Sequence, residues 1–139
     1  MAKNIADAKW TGGLKDGEGH MAFGGYDGGF TFRSRFEDAE GTNPEQLIGA
    51  ALAGCFSMQF SAFLHNDGIE SESVETQAEV TLRPVDGSPT ITTIALTATV
   101  TAPGADADKV REIGEQAKQK CPVSRALAVE EISLDVTLR

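Results

Sequence analysis

Short strands are predicted for the first 36 residues, where polar and hydrophobic positions alternate between glycines. The segments EGHMAF and GGFTFRSRF are typical of strands, and GGYDGG is typical of a turn between them. Alternate residues of a strand share a face, so three phenylalanines and Ser34 of the second segment fall on one side. We therefore expect Arg33 and Arg35 together on the opposite face of this strand.

A long helix is predicted after this region. Asn43 suits the N-cap, Pro44 the first helical position and Glu45 the positive end of the helix dipole, while Gly68 favours a left-handed stop. Leu47 to Leu64 is a run of 18 residues without a charge, the lower limit for a membrane span. Internal glycines and polar residues, and the lack of flanking Lys or Arg, favour instead a helix buried on all sides in protein.

The remaining pattern completes an α+β fold. SVETQAEVTLR and TITTIALTATVTA predict a hairpin joined by VDGSP, and Ile91 is out of phase, which indicates a bulge. An amphipathic helix over Asp106–Lys120 and a last strand from Ile132 to Leu138 follow. The order βββ-α-ββ-α-β predicts a single domain over residues 1–139. Because one small sheet cannot cover the uncharged helix, we expect a homodimer in which two such helices pack together.

Composition narrows the possible functions. The chain is 40% hydrophobic and 24% charged, which is typical of a soluble globular protein. Its net charge of -9, without a clustered basic face, argues against binding to nucleic acid or to an anionic membrane surface. The N-terminal segment lacks the apolar stretch of a secretory signal. We therefore expect a cytoplasmic protein, in which a disulfide is more often catalytic or redox-sensing than structural.

The two cysteines, Cys55 and Cys121, are the candidate reactive groups. They form no C-x-x-C motif and, with His20 and His65, give too few ligands at unsuitable spacings for a zinc site. Two unrelated buried thiols are one interpretation. Local chemistry offers another: Cys121 precedes Pro122 at a new helical turn beside two lysines, which favours thiolate. Burial in mid-helix would raise the pKa of Cys55, so local chemistry alone nominates Cys121.

The segment RFEDAEGTNPEQLIGAALAGCFSMQF, followed about 66 residues later by CPVSRAL, resembles the OsmC/Ohr family of bacterial thiol peroxidases. The family comprises osmotically inducible protein C and organic hydroperoxide resistance proteins, and SRFE before the helix resembles the OsmC branch. The resemblance covers nearly the whole chain. It implies the OsmC-like fold of an intertwined homodimer, with a long buried central helix and no metal, haem or flavin.

The resemblance also implies roles for particular residues. Cys55 would be the peroxidatic thiol that becomes a sulfenic acid, and Cys121 the resolving thiol that closes a disulfide with it. Arg35, with Arg33 as the alternative, would stabilise the Cys55 thiolate, and Glu45 would hold the arginine in a bidentate ion pair. These roles reverse the ones that local chemistry gives the two cysteines.

Helix geometry adds an expectation about the dimer. Glu45 and Cys55 are about 15 Å apart along a helix axis and lie on different faces. A single arginine can contact both only if they come from two copies of the helix, packed side by side. We therefore expect sites composed across the dimer interface.

The activity implied by the resemblance is the reduction of organic hydroperoxides, and of hydrogen peroxide, in response to oxidative or osmotic stress. The reductant would be a dithiol, with lipoylated proteins as candidates, and Phe56, Met58 or Phe60 would contact the alkyl group. A redox-sensing or small-ligand-binding dimer without turnover is the alternative. A structural dimer with inert cysteines is the third interpretation.

Overall fold

All residues from 1 to 139 are described by a computed structural model, in which two units are distinguished, residues 1–47 and 48–139. The prediction of one domain over residues 1–139 stays a prediction. The elements in chain order are β1 (Asp7–Thr11), β2 (Glu18–Phe23), β3 (Tyr26–Phe30), α1 (Phe32–Phe36), α2 (Pro44–Asn66), β4 (Ser73–Val85), β5 (Ser88–Thr101), α3 (Ala107–Lys120), α4 (Pro122–Ala126) and β6 (Glu131–Leu138). The α+β class is confirmed, with the short helices α1 and α4 added to the predicted order.

The first unit contains the antiparallel sheet β1-β2-β3. Gly24 and Gly25 connect β2 to β3 with φ of 43° and 88°. Two consecutive residues at positive φ form the tight hairpin turn that glycine adopts without strain. The predicted turn GGYDGG is therefore too long, because Tyr26–Phe30 belongs to the strand.

The prediction of a strand through Arg33 and Arg35 is wrong, because the chain turns into helix α1 after β3. A capping box starts the helix: the Ser34 N–H donates to the Thr31 hydroxyl at 3.1 Å, and the Thr31 N–H donates to the Ser34 hydroxyl at 2.9 Å. Successive helical residues are rotated by about 100°, so positions two apart differ by about 200°. The two arginines consequently leave the backbone on different sides rather than sharing one face.

The second unit is built on the sheet β4-β5-β6. Strands β4 and β5 form the predicted hairpin, whose turn contains Asp86 and Gly87 at φ of 49° and 78°. The predicted bulge is confirmed, since Thr81 pairs with Thr93 but the next residue, Leu82, pairs with Ile91. Strand β6 pairs with β5 in parallel, which requires the crossover formed by α3 and α4.

Helix α2 buries one face in the core of this unit. Leu52, Phe56, Phe60 and Leu64 repeat every four residues and are fully buried. Near the start of this face, a Cβ on Gly49 would lie 3.2 Å from Val80 of β4, which shows how closely the helix backbone approaches the sheet. This packing identifies α2 as a core helix, although its length and composition would also suit a membrane span.

The opposite face of α2 is open in the single chain. Ala50, Ala51, Gly54 and Ala62 are exposed on it, and Met58 is 80% exposed. The sequence predicted a helix buried on all sides, but a single chain leaves this face of α2 exposed. That a second copy covers this uncharged face stays a prediction.

Candidate active site

The two cysteines meet in the second unit although they are 66 residues apart in the chain. Cys55 lies in the middle of α2, and Cys121 lies between α3 and α4. Both thiols are free, and their Sγ atoms are 2.9 Å apart. A disulfide bond is about 2.05 Å long, so the sulfurs need to approach by only about 1 Å to form one.

The position of Cys121 follows from the proline after it. Pro122 disfavours helical backbone at the preceding residue, and Cys121 has φ of -59° and ψ of 123°. Helix α3 therefore ends at Lys120, with the Cys121 N–H still donating to the Ala117 carbonyl at 2.9 Å. The predicted N-cap position of Cys121 is confirmed, and its side chain is completely buried.

The surroundings shift the pKa values of the two thiols in opposite directions. Burial raises the pKa of Cys55, and its hydrogen bond with Cys121 raises that pKa further. Burial also acts to raise the pKa of Cys121, but its hydrogen bonds with Cys55 and with the backbone N–H of Ser124 lower it overall. Within one chain the directions of these two shifts agree with the local prediction, because the pKa of Cys55 is raised and that of Cys121 is lowered.

Arg35 and Glu45 form the best-defined ion pair of the first unit. Arg35 donates from Nε and Nη2 to the same oxygen of Glu45, Oε1, at 2.9 Å and 2.7 Å. Both hydrogen bonds end on one oxygen, so the pair differs from the two-oxygen bidentate arrangement that was expected. The Glu45 side chain is 9% exposed and its Oε2 atom is buried without a partner, whereas Arg35 is 36% exposed.

The loop between α1 and α2 holds this pair in place. Asn43 caps α2, because its Oδ1 accepts from the Gln46 N–H at 2.8 Å. The Nδ2 of the same side chain donates to the Ser34 carbonyl at 3.0 Å. One asparagine thus fixes the start of α2, which carries Glu45, against α1, which carries Arg35.

The alternative arginine, Arg33, has a different environment. Its Nε donates to Glu37 Oε2 at 3.1 Å, and the two side chains are 71% and 53% exposed. An exposed pair of this kind on one helix contributes little to stability. Arg35 is therefore the arginine that is held by a buried carboxylate.

An apolar cavity of about 310 Å³ adjoins Arg35 in the first unit. Its lining is mostly aromatic: Trp10, Leu14, Phe30, Thr31, Phe32, Arg35 and Phe36. Sequence reasoning overlooked these side chains as a site, although their aromatic character was a visible signal. It proposed Phe56 and Phe60 as substrate contacts, and this is wrong for the single chain because both are fully buried in the core.

Each of the two histidines pairs with a single exposed carboxylate. His20 is 2.9 Å from Asp27 and His65 is 2.8 Å from Glu70, and all four side chains are largely exposed. No three or more His, Cys, Asp or Glu side chains form a group that could hold a metal ion.

Comparison with known proteins identifies the family. The family model described as OsmC-like protein matches residues 37–137. The chain is 43% identical to peroxiredoxin OsmC of Escherichia coli strain K12, over 95% of this chain and 94% of that protein. It is also 34% identical to the organic hydroperoxide resistance protein OhrB of Bacillus subtilis strain 168, over 65% of each chain.

Solved structures show the same fold. An OsmC-like protein from Mycoplasma pneumoniae superposes with a TM-score of 0.77 at 17% identity, over 99% of this chain and 97% of that one. The structure of OhrB from Bacillus subtilis superposes with a TM-score of 0.69 at 26% identity, over 97% and 98% of the two chains. The chain therefore belongs to the OsmC-like family.

Proposed function

We propose that this protein is a cysteine-based hydroperoxide reductase in which Cys55 is the peroxidatic thiol and Cys121 the resolving thiol. The observation that carries the proposal is the 2.9 Å approach of two free thiols from distant parts of the chain. The relative that is 43% identical is named a peroxiredoxin, and the relative that is 34% identical is named for organic hydroperoxide resistance. Peroxide reduction by the named relatives is consistent with a role for this close thiol pair in the same chemistry.

The proposed reaction has two steps. The Cys55 thiolate attacks the terminal oxygen of a hydroperoxide, the O–O bond breaks, and the alkoxide leaves as an alcohol after taking up a proton. Cys55 is thereby oxidised to a sulfenic acid. The Cys121 thiolate then attacks the Cys55 sulfur and displaces hydroxide, which leaves as water, so that a disulfide forms. Cys55 is assigned as the peroxidatic thiol, which attacks the peroxide, because it is partly exposed whereas Cys121 is completely buried.

We propose that Arg35 of a second copy supplies the cation that Cys55 needs. Arg35 uses two of its N–H donors on Glu45, and a guanidinium has five, so three remain for another acceptor. An arginine near a cysteine lowers the pKa of that thiol, which opposes the effect of burial on Cys55. The open, uncharged face of α2 is where a second copy would pack in a homodimer with two interfacial sites.

The aromatic cavity beside Arg35 favours organic hydroperoxides as substrates. Its volume of about 310 Å³ suits an alkyl or aryl group, and hydrogen peroxide would leave most of it empty. The reductant is proposed to be a dithiol, with lipoylated proteins as candidates. We also propose that the protein is soluble and cytoplasmic and that it acts in the response to oxidative or osmotic stress.

A redox sensor is the second candidate, because a preformed thiol pair can also close a disulfide as a signal. Turnover distinguishes the two functions. The test is dithiothreitol-dependent consumption of cumene hydroperoxide and of hydrogen peroxide, with Cys55→Ser as the inactive control. Many peroxides consumed per site, with cumene hydroperoxide preferred, would support the reductase. A single oxidation per site, without further consumption, would support the sensor instead.

A further inference from the structure

The two sulfurs of the proposed disulfide differ in their access from solvent. Cys121 is completely buried, and it is part of the same hydrophobic core as Phe56 and Phe60. Cys55 is partly exposed on α2. A peroxide that oxidises Cys55 has to reach this sulfur, so an opening to Cys55 is already required by the proposed function.

The reductant also has better access to Cys55 than to Cys121. Disulfides are reduced by attack of a thiolate on one of the two sulfurs, and the outcome depends on access and on the leaving thiol. The attacking thiolate approaches along the S–S axis from the side away from the leaving sulfur. An approach to Cys121 would pass through the packed core, whereas an approach to Cys55 would use the peroxide opening.

We infer that the reducing dithiol attacks the Sγ atom of Cys55 and that Cys121 is the leaving thiolate. This inference rests on the proposed function. The first thiolate of the dithiol forms a bond with Cys55 Sγ, and the S–S bond to Cys121 breaks with the electron pair on Cys121. The second thiolate then attacks the dithiol's own bonded sulfur and releases Cys55 as thiolate. The protein disulfide gains two electrons, and the dithiol becomes a cyclic disulfide.

The environment of Cys121 suits a leaving group. The backbone N–H of Ser124 and the thiol of Cys55 lower the pKa of Cys121, and a thiol of lower pKa leaves faster. The displaced thiolate also stays close to the mixed disulfide, because the backbone positions hold the two sulfurs 2.9 Å apart in the reduced chain. A reductant with one thiol is therefore expelled again by Cys121, whereas a dithiol escapes by its own intramolecular second step.

The test maps the first adduct on the oxidised full-length protein. The Cys55–Cys121 disulfide is formed with one equivalent of cumene hydroperoxide and mixed rapidly with 2-mercaptoethanol. Acid quenching at short times is followed by alkylation of free thiols with N-ethylmaleimide and by peptide mass mapping. The same oxidised protein unfolded in urea is the matched control, because access no longer differs there and both cysteines should carry the adduct.

The expected result is 2-mercaptoethanol on the Cys55 peptide and maleimide on the Cys121 peptide, with the reverse labelling at least about tenfold rarer, because access selects the sulfur. Adducts on Cys121, or equal labelling of both peptides in the folded protein, would overturn the inference. Failure of the proposed function would appear earlier and differently, as no Cys55–Cys121 disulfide after the peroxide step.

Discussion

Replacing Glu45 by glutamine tests whether this carboxylate acts by positioning Arg35. Glutamine keeps the length of the side chain and an acceptor oxygen, but it removes the charge that two Arg35 nitrogens share at 2.7 Å and 2.9 Å. The side chain is 9% exposed, so water cannot easily replace the lost interaction at Glu45. We expect Arg35 to spend less time in its present orientation.

The size of the effect follows from these contacts. A hydrogen bond to a charged group contributes about 1.5 to 3 kcal/mol. Arg35 is 36% exposed, so solvent recovers part of that energy, and about 2 kcal/mol is a reasonable value for the whole pair. Since about 1.36 kcal/mol corresponds to a factor of ten, the rate constant of Cys55 with cumene hydroperoxide should fall roughly thirtyfold.

The assay is stopped-flow oxidation of the reduced protein, together with the pH dependence of Cys55 alkylation in a Cys121→Ser background. Glu45 has two possible effects of opposite sign on the pKa of Cys55. Loss of a negative charge by itself would lower that pKa, whereas misplacement of Arg35 would raise it. We predict a higher pKa and a slower reaction.

Glu37→Gln is the matched control, because it removes the charge from the exposed Arg33–Glu37 pair of the same region. It should change the rate by less than about twofold, as expected for an exposed ion pair. An unchanged or faster reaction in Glu45→Gln, with a lower pKa of Cys55, would refute the positioning role. Thermal unfolding of both variants checks that the fold is retained.

Three further predictions concern the cavity, the open helix face and the core. Trp10→Ala should lower kcat/KM for cumene hydroperoxide about tenfold through lost aromatic contact and leave hydrogen peroxide nearly unaffected; equal loss for both would contradict it. Met58→Lys places a charge on the open face of α2 and should produce monomers in sedimentation velocity together with loss of turnover, and an active dimer would count against the interface. Leu52→Ala should reduce the free energy of unfolding in urea by about 2 to 5 kcal/mol, and a value under 1 kcal/mol would mean that the site is not tightly packed.

A fifth prediction concerns pH. In Arg35→Ala the effect of burial on Cys55 is no longer opposed, so its pKa should lie above the ordinary value for cysteine. A raised pKa means that the thiolate forms only as the pH rises further, so alkylation by iodoacetamide at neutral pH should be slower than in the parent. The rate should recover in alkaline solution, and a profile that matches the parent's would rule out Arg35 as the stabilising cation.

Periodicity predicted strands β4, β5 and β6 and helix α3, because the buried residues of these elements follow the strand or helix period. Helix α2 was predicted instead from its N-cap residues and its uncharged run, because its apolar residues continue around the helix; in the structure residues 52, 56, 60 and 64 face the core. Periodicity failed at α1, where the alternation of Phe30, Phe32 and Phe36 suggested a strand. Five residues are too few for a helical period to show, and the local capping box between Thr31 and Ser34 decided the structure.

Only part of the candidate site could be predicted from the residues next to each cysteine. Pro122 predicted the N-cap position of Cys121, and the backbone N–H of Ser124 that this position offers contributes to the lowered pKa of the thiol; the two neighbouring lysines are not among its causes. The meeting of Cys55 with Cys121 could not, because it depends on how α2 and α3 pack on one sheet. The resemblance to OsmC proteins supplied that pairing, and the 2.9 Å distance agrees with it.

The most direct test of the account is to identify which cysteine the hydroperoxide oxidises first. Cys55→Ser and Cys121→Ser are each treated with one equivalent of cumene hydroperoxide in the presence of dimedone, and the sulfenic acid adduct is located by mass spectrometry. We predict about one adduct per chain, on Cys55, in Cys121→Ser, and almost none in Cys55→Ser, because the completely buried Cys121 is not the thiol that peroxide reaches. Rapid formation of the adduct on Cys121 in Cys55→Ser, with Cys55 unreactive in the other variant, would contradict the account and assign the peroxidatic role to Cys121.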